Sequence, residues 1–213
     1  MNNNVIPSVT ANECLLIILA AGKSSRLGFP KGLLRLQNDK CILEHNLQLA
    51  ITAKLRPSIV AVRAEDLSVY REVISNNHAL PCIISRWEPF PRLSLLESLK
   101  MAFKTFPSTI LFIPVDCAIS SPKLLHELID CVLIENSVSN PPTIAKPVYE
   151  GRGGHPVALT INAARTLAKL LQRGNTPLNE CLRIAAANGG IYRHRVLAKD
   201  VTMNVNDFSI INR

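Results

Sequence analysis

Five consecutive apolar residues, Leu15-Leu16-Ile17-Ile18-Leu19, give way at once to Ala20-Ala21-Gly22. Successive side chains of a strand point to opposite faces, so a short run with no polar alternation suits a strand covered on both sides. Residues 109–113 repeat the pattern (Thr-Ile-Leu-Phe-Ile) and run into Pro114-Val115-Asp116. A sheet buried on both faces needs helices above and below it, and the rest of the chain supplies helical periodicity.

Residues 42–55 carry Ile42, Leu43, Asn46, Leu47, Leu49 and Ala50 at helical spacing. Further helices are expected over 68–75, 93–106, 162–171 and 178–188, the last stopped by Gly189-Gly190. One more begins at Pro122, a residue suited to the first turn, and runs to 135. Strands are expected over 58–62, 80–84 and 143–148. Strand–helix alternation with short links predicts a three-layer α/β/α sandwich around a mostly parallel, mixed central sheet. At 213 residues the chain fits one such domain, read as 14–213 after a loose polar tail over 1–13.

Composition narrows the function classes. The longest apolar run, residues 14–21, is far short of the ~20 residues of a membrane helix. Met1-Asn2-Asn3-Asn4 lacks the basic start of an export signal, so a cytoplasmic location is expected. Six cysteines without a CxxC pair argue against zinc knuckles and for reduced structural thiols. The net charge of +8 is dispersed, which suits a protein that handles phosphates. No tract interleaves basic and aromatic residues, so neither nucleic acid nor membrane is expected as a partner.

In open α/β sheets ligands bind at the carboxyl ends of the strands, which directs attention to residues 19–31. Ala20, Ala21 and Gly22 let backbone approach a ligand, and Arg26 and Lys31 add positive charge suited to a triphosphate. A Walker A loop fails, because five residues rather than four separate Gly22 from Gly28, and Phe29 follows. A dinucleotide fingerprint fails for lack of glycines. The segment resembles instead the signature L-A-[AG]-G-x-[GS]-x-R-[ML]-G…K of the MobA-like nucleotidyltransferases, filled by Leu19, Ala20, Ala21, Gly22, Ser24, Arg26, Leu27, Gly28 and Lys31. Lys31 to Leu36 and Ile42-Leu43-Glu44-His45 continue the likeness, with Asn38 where glycine is common.

Two later segments extend the resemblance. Asp116 stands where the family carries a metal-holding D-x-P aspartate, though Ala118 replaces the proline. Gly151-Arg152-Gly153-Gly154-His155-Pro156-Val157 is similar to the G-x-x-G-H-P-V segment of the molybdenum-cofactor cytidylyltransferase branch and its relatives, and favours that group over the guanylyltransferase-like one.

The resemblance implies a GT-A/Rossmann-like fold and Mg²⁺-dependent transfer of an NMP, CMP favoured and GMP possible, from CTP or GTP to a small anionic acceptor such as a molybdopterin-type cofactor. It implies a nucleotide site at Leu19, Ala20, Ala21, Gly22, Lys23, Ser24 and Ser98, and catalytic roles for Arg26, Lys31 and Asp116. Mg²⁺ is expected on Asp116 with Asn206 or Asp207, and the acceptor on Arg152, Gly154 and His155. A molybdoenzyme or its chaperone is the implied protein partner. The alternative is a nucleotide-binding accessory protein that keeps the fold without turnover.

Overall fold

The computed structural model describes residues 13–24, 27–36, 38–85, 91–119, 121–133, 141, 143–174, 176–186 and 190–197. Strand β1 (Cys14–Leu19) lies between β2 (Arg56–Arg63) and β4 (Thr109–Pro114), parallel to both, and β3 (Leu80–Ile84) continues the parallel set beyond β2. Beyond β4 come β7 (Val157–Thr160), antiparallel to it, then β5 (Ile144–Tyr149) and, parallel to β5, β8 (Ile191–Arg195). The two-residue strand β6 (Arg152–Gly153) folds back on the far end of β5. The expected mixed, mostly parallel sheet is therefore present, with β7 reversed at its centre.

Alternation along β1 distributes its side chains between two cores. Cys14, Leu16 and Ile18 join Leu43, Leu47, Tyr70, Ile74, Leu125 and Leu128 on one face. Leu15 and Ile17 join Leu95, Leu99, Leu167 and Cys181 on the other. The first face is covered by α1 (Ile42–Thr52), α2 (Leu67–Asn76) and α4 (Pro122–Leu133), the second by α3 (Pro91–Phe103), α5 (Ile161–Arg173) and α6 (Leu178–Ala186). Each helix turns its apolar stripe inward; in α5 that stripe is Ala163, Ala164, Leu167, Ala168 and Leu171.

Three strands escape the sequence pattern. β7 has only four residues, β6 only two, and β8 reads Ile-Tyr-Arg-His-Arg with mostly half-exposed or exposed side chains. Short or polar strands carry no periodic signal, and their pairing partners create them. The helix expected over 93–106 instead spans Pro91–Phe103, because the chain turns at Lys104 and Phe106 takes a positive φ of 52°.

Thr160 ends β7 and caps α5, its hydroxyl accepting from the Ala163 N–H at 3.3 Å. Thr160→Ala is expected to cost about 1 kcal/mol of stability. Urea unfolding checks this through a lowered midpoint at unchanged slope, with Thr160→Ser near wild type.

Candidate active site

In the parallel pair β1–β4, Leu19 registers with Pro114, and the Val115 N–H donates to Leu19 O at 3.0 Å. The loops leaving these two strand ends therefore start side by side. After Leu19 the chain passes through Ala20, whose N–H donates to Ala61 O, and then Gly22 and Lys23, both exposed. Ser24 takes a positive φ of 48°, and its hydroxyl accepts from the Lys31 N–H at 3.1 Å. That contact folds the loop back and starts a 3₁₀ turn, Lys31–Leu33.

The turn delivers Lys31 to Asp116. Their Nζ and Oδ2 atoms are 3.2 Å apart although 85 residues separate them in sequence, and each side chain remains about a quarter exposed, at 24% and 25%. The other carboxylate oxygen, Oδ1, receives the Cys117 thiol at 3.9 Å. Burial first, and then the Asp116 charge, push the Cys117 pKa up to about 12, so this thiol stays protonated and donates.

Two buried polar side chains hold this arrangement from below. Tyr70 is fully buried on α2, and its hydroxyl accepts from the Gly32 N–H at 3.1 Å. A Cβ on Gly32 would lie 2.7 Å from Val115 Cγ2 and 2.9 Å from the Tyr70 oxygen, so only glycine lets the Lys31 turn sit this close. Asn46 is fully buried on α1 and grips the chain beyond Asp116 at two points. Its Nδ2 donates to Cys117 O at 2.9 Å, and its Oδ1 accepts from the Ile119 N–H at 2.8 Å. His45 Nε2 adds a donor to Ile119 O at 3.0 Å. Where a D-x-P loop would be stiffened by proline, a side-chain amide fixes the loop around Ala118 instead.

The third contribution comes from the reversed part of the sheet. Phe112 pairs with Val157, so the residues just before β7 lie beyond the carboxyl end of β4, next to Asp116. His155 packs edge-on against Phe112, with ring centroids 6.2 Å apart. Burial pushes its pKa down to about 4; the Asp116 charge opposes that shift and Lys146 adds to it. The imidazole is therefore neutral, and its buried Nδ1 has no hydrogen-bond partner among the described residues. Gly154 is buried behind it, donating its N–H to Pro147 O at 2.8 Å.

The structure brings together Ser24, Lys31, Asp116, Gly154 and His155, with Leu19 to Lys23 alongside. Two expected residues fall elsewhere. Ser98 is fully buried in the middle of α3 against the Cys82 thiol, because a crossover helix starts at the strand ends and runs back down the sheet. It is core rather than ligand surface. Arg152 pairs with Tyr149 in the β5–β6 arm, and alternation puts it on the opposite face from its neighbour Gly153. Arg26, Asn206 and Asp207 lie outside the described residues.

Three residues went unread in the sequence: Tyr70, Asn46 and Lys146. Asn46 had a signal, a polar residue inside an otherwise apolar helical stripe. Tyr70 and Lys146 had none, since a tyrosine on a helix or a lysine in a strand is ordinary.

Among the described residues no cluster of three His, Cys, Asp or Glu forms a metal cage. A single strand-end carboxylate beside a lysine nevertheless suits a hard cation that takes its remaining ligands from phosphates and water.

Tyr70→Phe strands the buried Gly32 N–H and is expected to cost about 1–3 kcal/mol, measurable by denaturant unfolding. Asn46→Asp keeps the shape but cannot donate to Cys117 O, and the same measurement should register a loss of similar size. His155 gives a pH signature. Its folded pKa lies below the ordinary 6.5, so the unfolded chain binds the proton more readily. The stabilisation is complete above pH 6.5 and is lost as pH falls toward 4. Stability measured across that window should decline by on the order of 2–3 kcal/mol more in wild type than in His155→Asn.

Among curated proteins no sequence matches significantly. Solved structures do match. An Rv0371c homolog from Mycobacterium sp. strain JC1 superposes with a TM-score of 0.71 at 23% identity, over 94% of this chain and 95% of that one. The 4-diphosphocytidyl-2C-methyl-D-erythritol synthase of Anaerococcus prevotii gives 0.72 at 12% identity, over 94% of each chain. Rv0371c of Mycobacterium tuberculosis, in a complex with manganese, gives 0.65 at 19% identity, over 93% and 97%. At these identities the likeness is one of fold. The family model for the MobA-like NTP transferase domain, however, matches residues 16–187, a span that contains the loop after β1, Asp116 and His155. The chain therefore belongs to the MobA-like NTP transferase family and is a nucleotidyltransferase.

Proposed function

We propose that this nucleotidyltransferase moves an NMP unit, CMP or alternatively GMP, from a nucleoside triphosphate to a small phosphorylated acceptor, with Mg²⁺ held at Asp116. The observation that carries the reading is the Lys31–Asp116 pair at 3.2 Å, where the loops after β1 and β4 leave the sheet together. A cation and a carboxylate there match what a metal–triphosphate complex needs, one group for each partner.

An oxygen of the acceptor phosphate attacks the α-phosphorus in line. The new P–O bond forms as the bond from the α-phosphorus to the bridging oxygen breaks, and pyrophosphate leaves with that electron pair. No general base is needed, because the attacking phosphate is already ionised. Bound Mg²⁺ would neutralise phosphate charge. The backbone of Leu19 to Ser24 accommodates the nucleotide, and Gly22, whose missing Cβ would meet nothing within 4 Å, leaves room for it. Lys31 leaves Asp116 to follow the charge that develops on departing pyrophosphate, joined by Arg26 from the same loop. Asn206 or Asp207 completes the metal's protein ligands. Neutral His155 offers a hydrogen bond to the acceptor without adding a charge. Within this reading the acceptor is of the molybdopterin class and the enzyme acts in the cytoplasm.

Thermal shift with each of the four NTPs, with and without Mg²⁺, tests the assignment. CTP is expected to give the largest Mg²⁺-dependent rise, with GTP as the alternative. A rise that ignores Mg²⁺, or none with any NTP, overturns it. Lys31→Ala should reduce kcat by a factor equivalent to about 2–4 kcal/mol while weakening NTP binding less. Asp116→Ala should remove most Mg²⁺-dependent turnover with the fold intact. Steady-state kinetics of the two variants checks both.

A further inference from the structure

We infer that Lys146, on β5, is the cation that receives the acceptor's phosphate, in the place that the sequence motif offers to Arg152. The inference rests on the transfer reading above and deepens it by naming the specificity-determining side chain.

Three features of the structure converge on Lys146. The first is how Gly153 accommodates it. A Cβ on Gly153 would lie 2.7 Å from Lys146 Nζ and 2.9 Å from its Cε. The missing side chain leaves a slot on the arm, and the lysine stem fills it with its ammonium at the glycine. Gly153 and Lys146 share a face, since Gly153 registers with Val148, two residues along the same strand.

The second is unbalanced charge. Lys146 registers with Arg193 on the adjacent parallel strand, so two cations stand side by side. Among the described residues neither makes an ion pair. Like charges in neighbouring positions destabilise a sheet. A bound anion would offset that repulsion.

The third is the neighbouring imidazole. Lys146 lies on the face of Ile144, which registers with Leu159, and His155 packs against Phe112 on that same face. Its buried Nδ1 has no partner among the described residues, and a buried ring nitrogen without a hydrogen bond is expensive to keep unless a ligand supplies the partner. Lys146 and His155 thus face the same side of the sheet, one offering an ammonium and the other an imidazole to a phosphate monoester dianion.

Inorganic phosphate serves as the probe, added to the full chain with the nucleotide site filled by Mg²⁺ and α,β-methylene-CTP. Binding is read from the His155 ring signals by NMR, and the nucleotide analogue's affinity is measured separately. Wild type should bind phosphate in the millimolar range, and Lys146→Met should weaken that at least tenfold with the analogue's Kd unchanged. Gly153→Ala is the second variant. The added methyl meets only the end of a flexible side chain, so it should push the ammonium aside without unfolding the arm and weaken phosphate similarly. Phosphate binding unaffected by both variants, or absent in wild type, overturns the assignment of Lys146 while leaving nucleotide transfer standing. Loss of analogue binding in Lys146→Met would put the lysine on the nucleotide side instead, which also overturns it. Failure of wild type to bind any nucleotide analogue is the separate result that sinks the transfer reading, and this inference with it.

Discussion

The parallel pairing of β1 with β4 is the constraint on which the rest depends. Six residues of each strand register one to one, from Cys14 with Thr109 to Leu19 with Pro114. Both strands are buried on both faces, and moving one by a single residue would turn its side chains toward the wrong core. The register is thus fixed by two hydrophobic interfaces at once. Because it is fixed, the two loops that carry Lys31 and Asp116 begin at a set separation, and their contact follows from the sheet rather than from any attraction between them. A lysine–carboxylate pair at this exposure contributes little stability by itself.

Fine positioning then falls to polar groups inside the first core. Tyr70 and Asn46 are fully buried, each on a helix that otherwise contributes apolar residues, and each spends its hydrogen-bonding capacity on backbone of the two loops that carry Lys31 and Asp116. Buried polar groups are stable only when satisfied, and satisfied ones tolerate little displacement. The helices covering this face therefore pack the sheet and aim the loops as well. Loop and helix share one structural unit, so a substitution in α1 or α2 acts on the site without touching a ligand.

The reversed strand β7 gives the other half of the site its place. With β7 antiparallel to β4, the chain enters it from the carboxyl end of the parallel strands, which brings His155 to the same edge as Asp116. A parallel strand in that position would have delivered the residues before it to the opposite edge. The same reversal carries the β5–β6 arm alongside, and with it Lys146 and Gly153.

The sequence by itself determined the sandwich and the order of its layers, because continuous apolar strands and helical stripes are local patterns with local causes. It also singled out Lys31, Asp116 and His155, whose segments the structure brings to one edge of the sheet, and a stray polar residue in the α1 stripe could have pointed to Asn46. Tertiary structure alone decided the rest. Ser98 sits in a motif-like S-L pair, yet helix phase and the crossover's direction bury it beneath the strand ends. Arg152 and Lys146 are both cations near a histidine motif, and only the antiparallel pairing, with its two-residue alternation, sends them to opposite faces of the arm. Strands β6, β7 and β8 have too few or too polar residues to announce themselves, and they exist because neighbouring strands offer unpaired backbone groups. What a residue faces is set by its partners across the sheet, and those partners lie dozens of residues away.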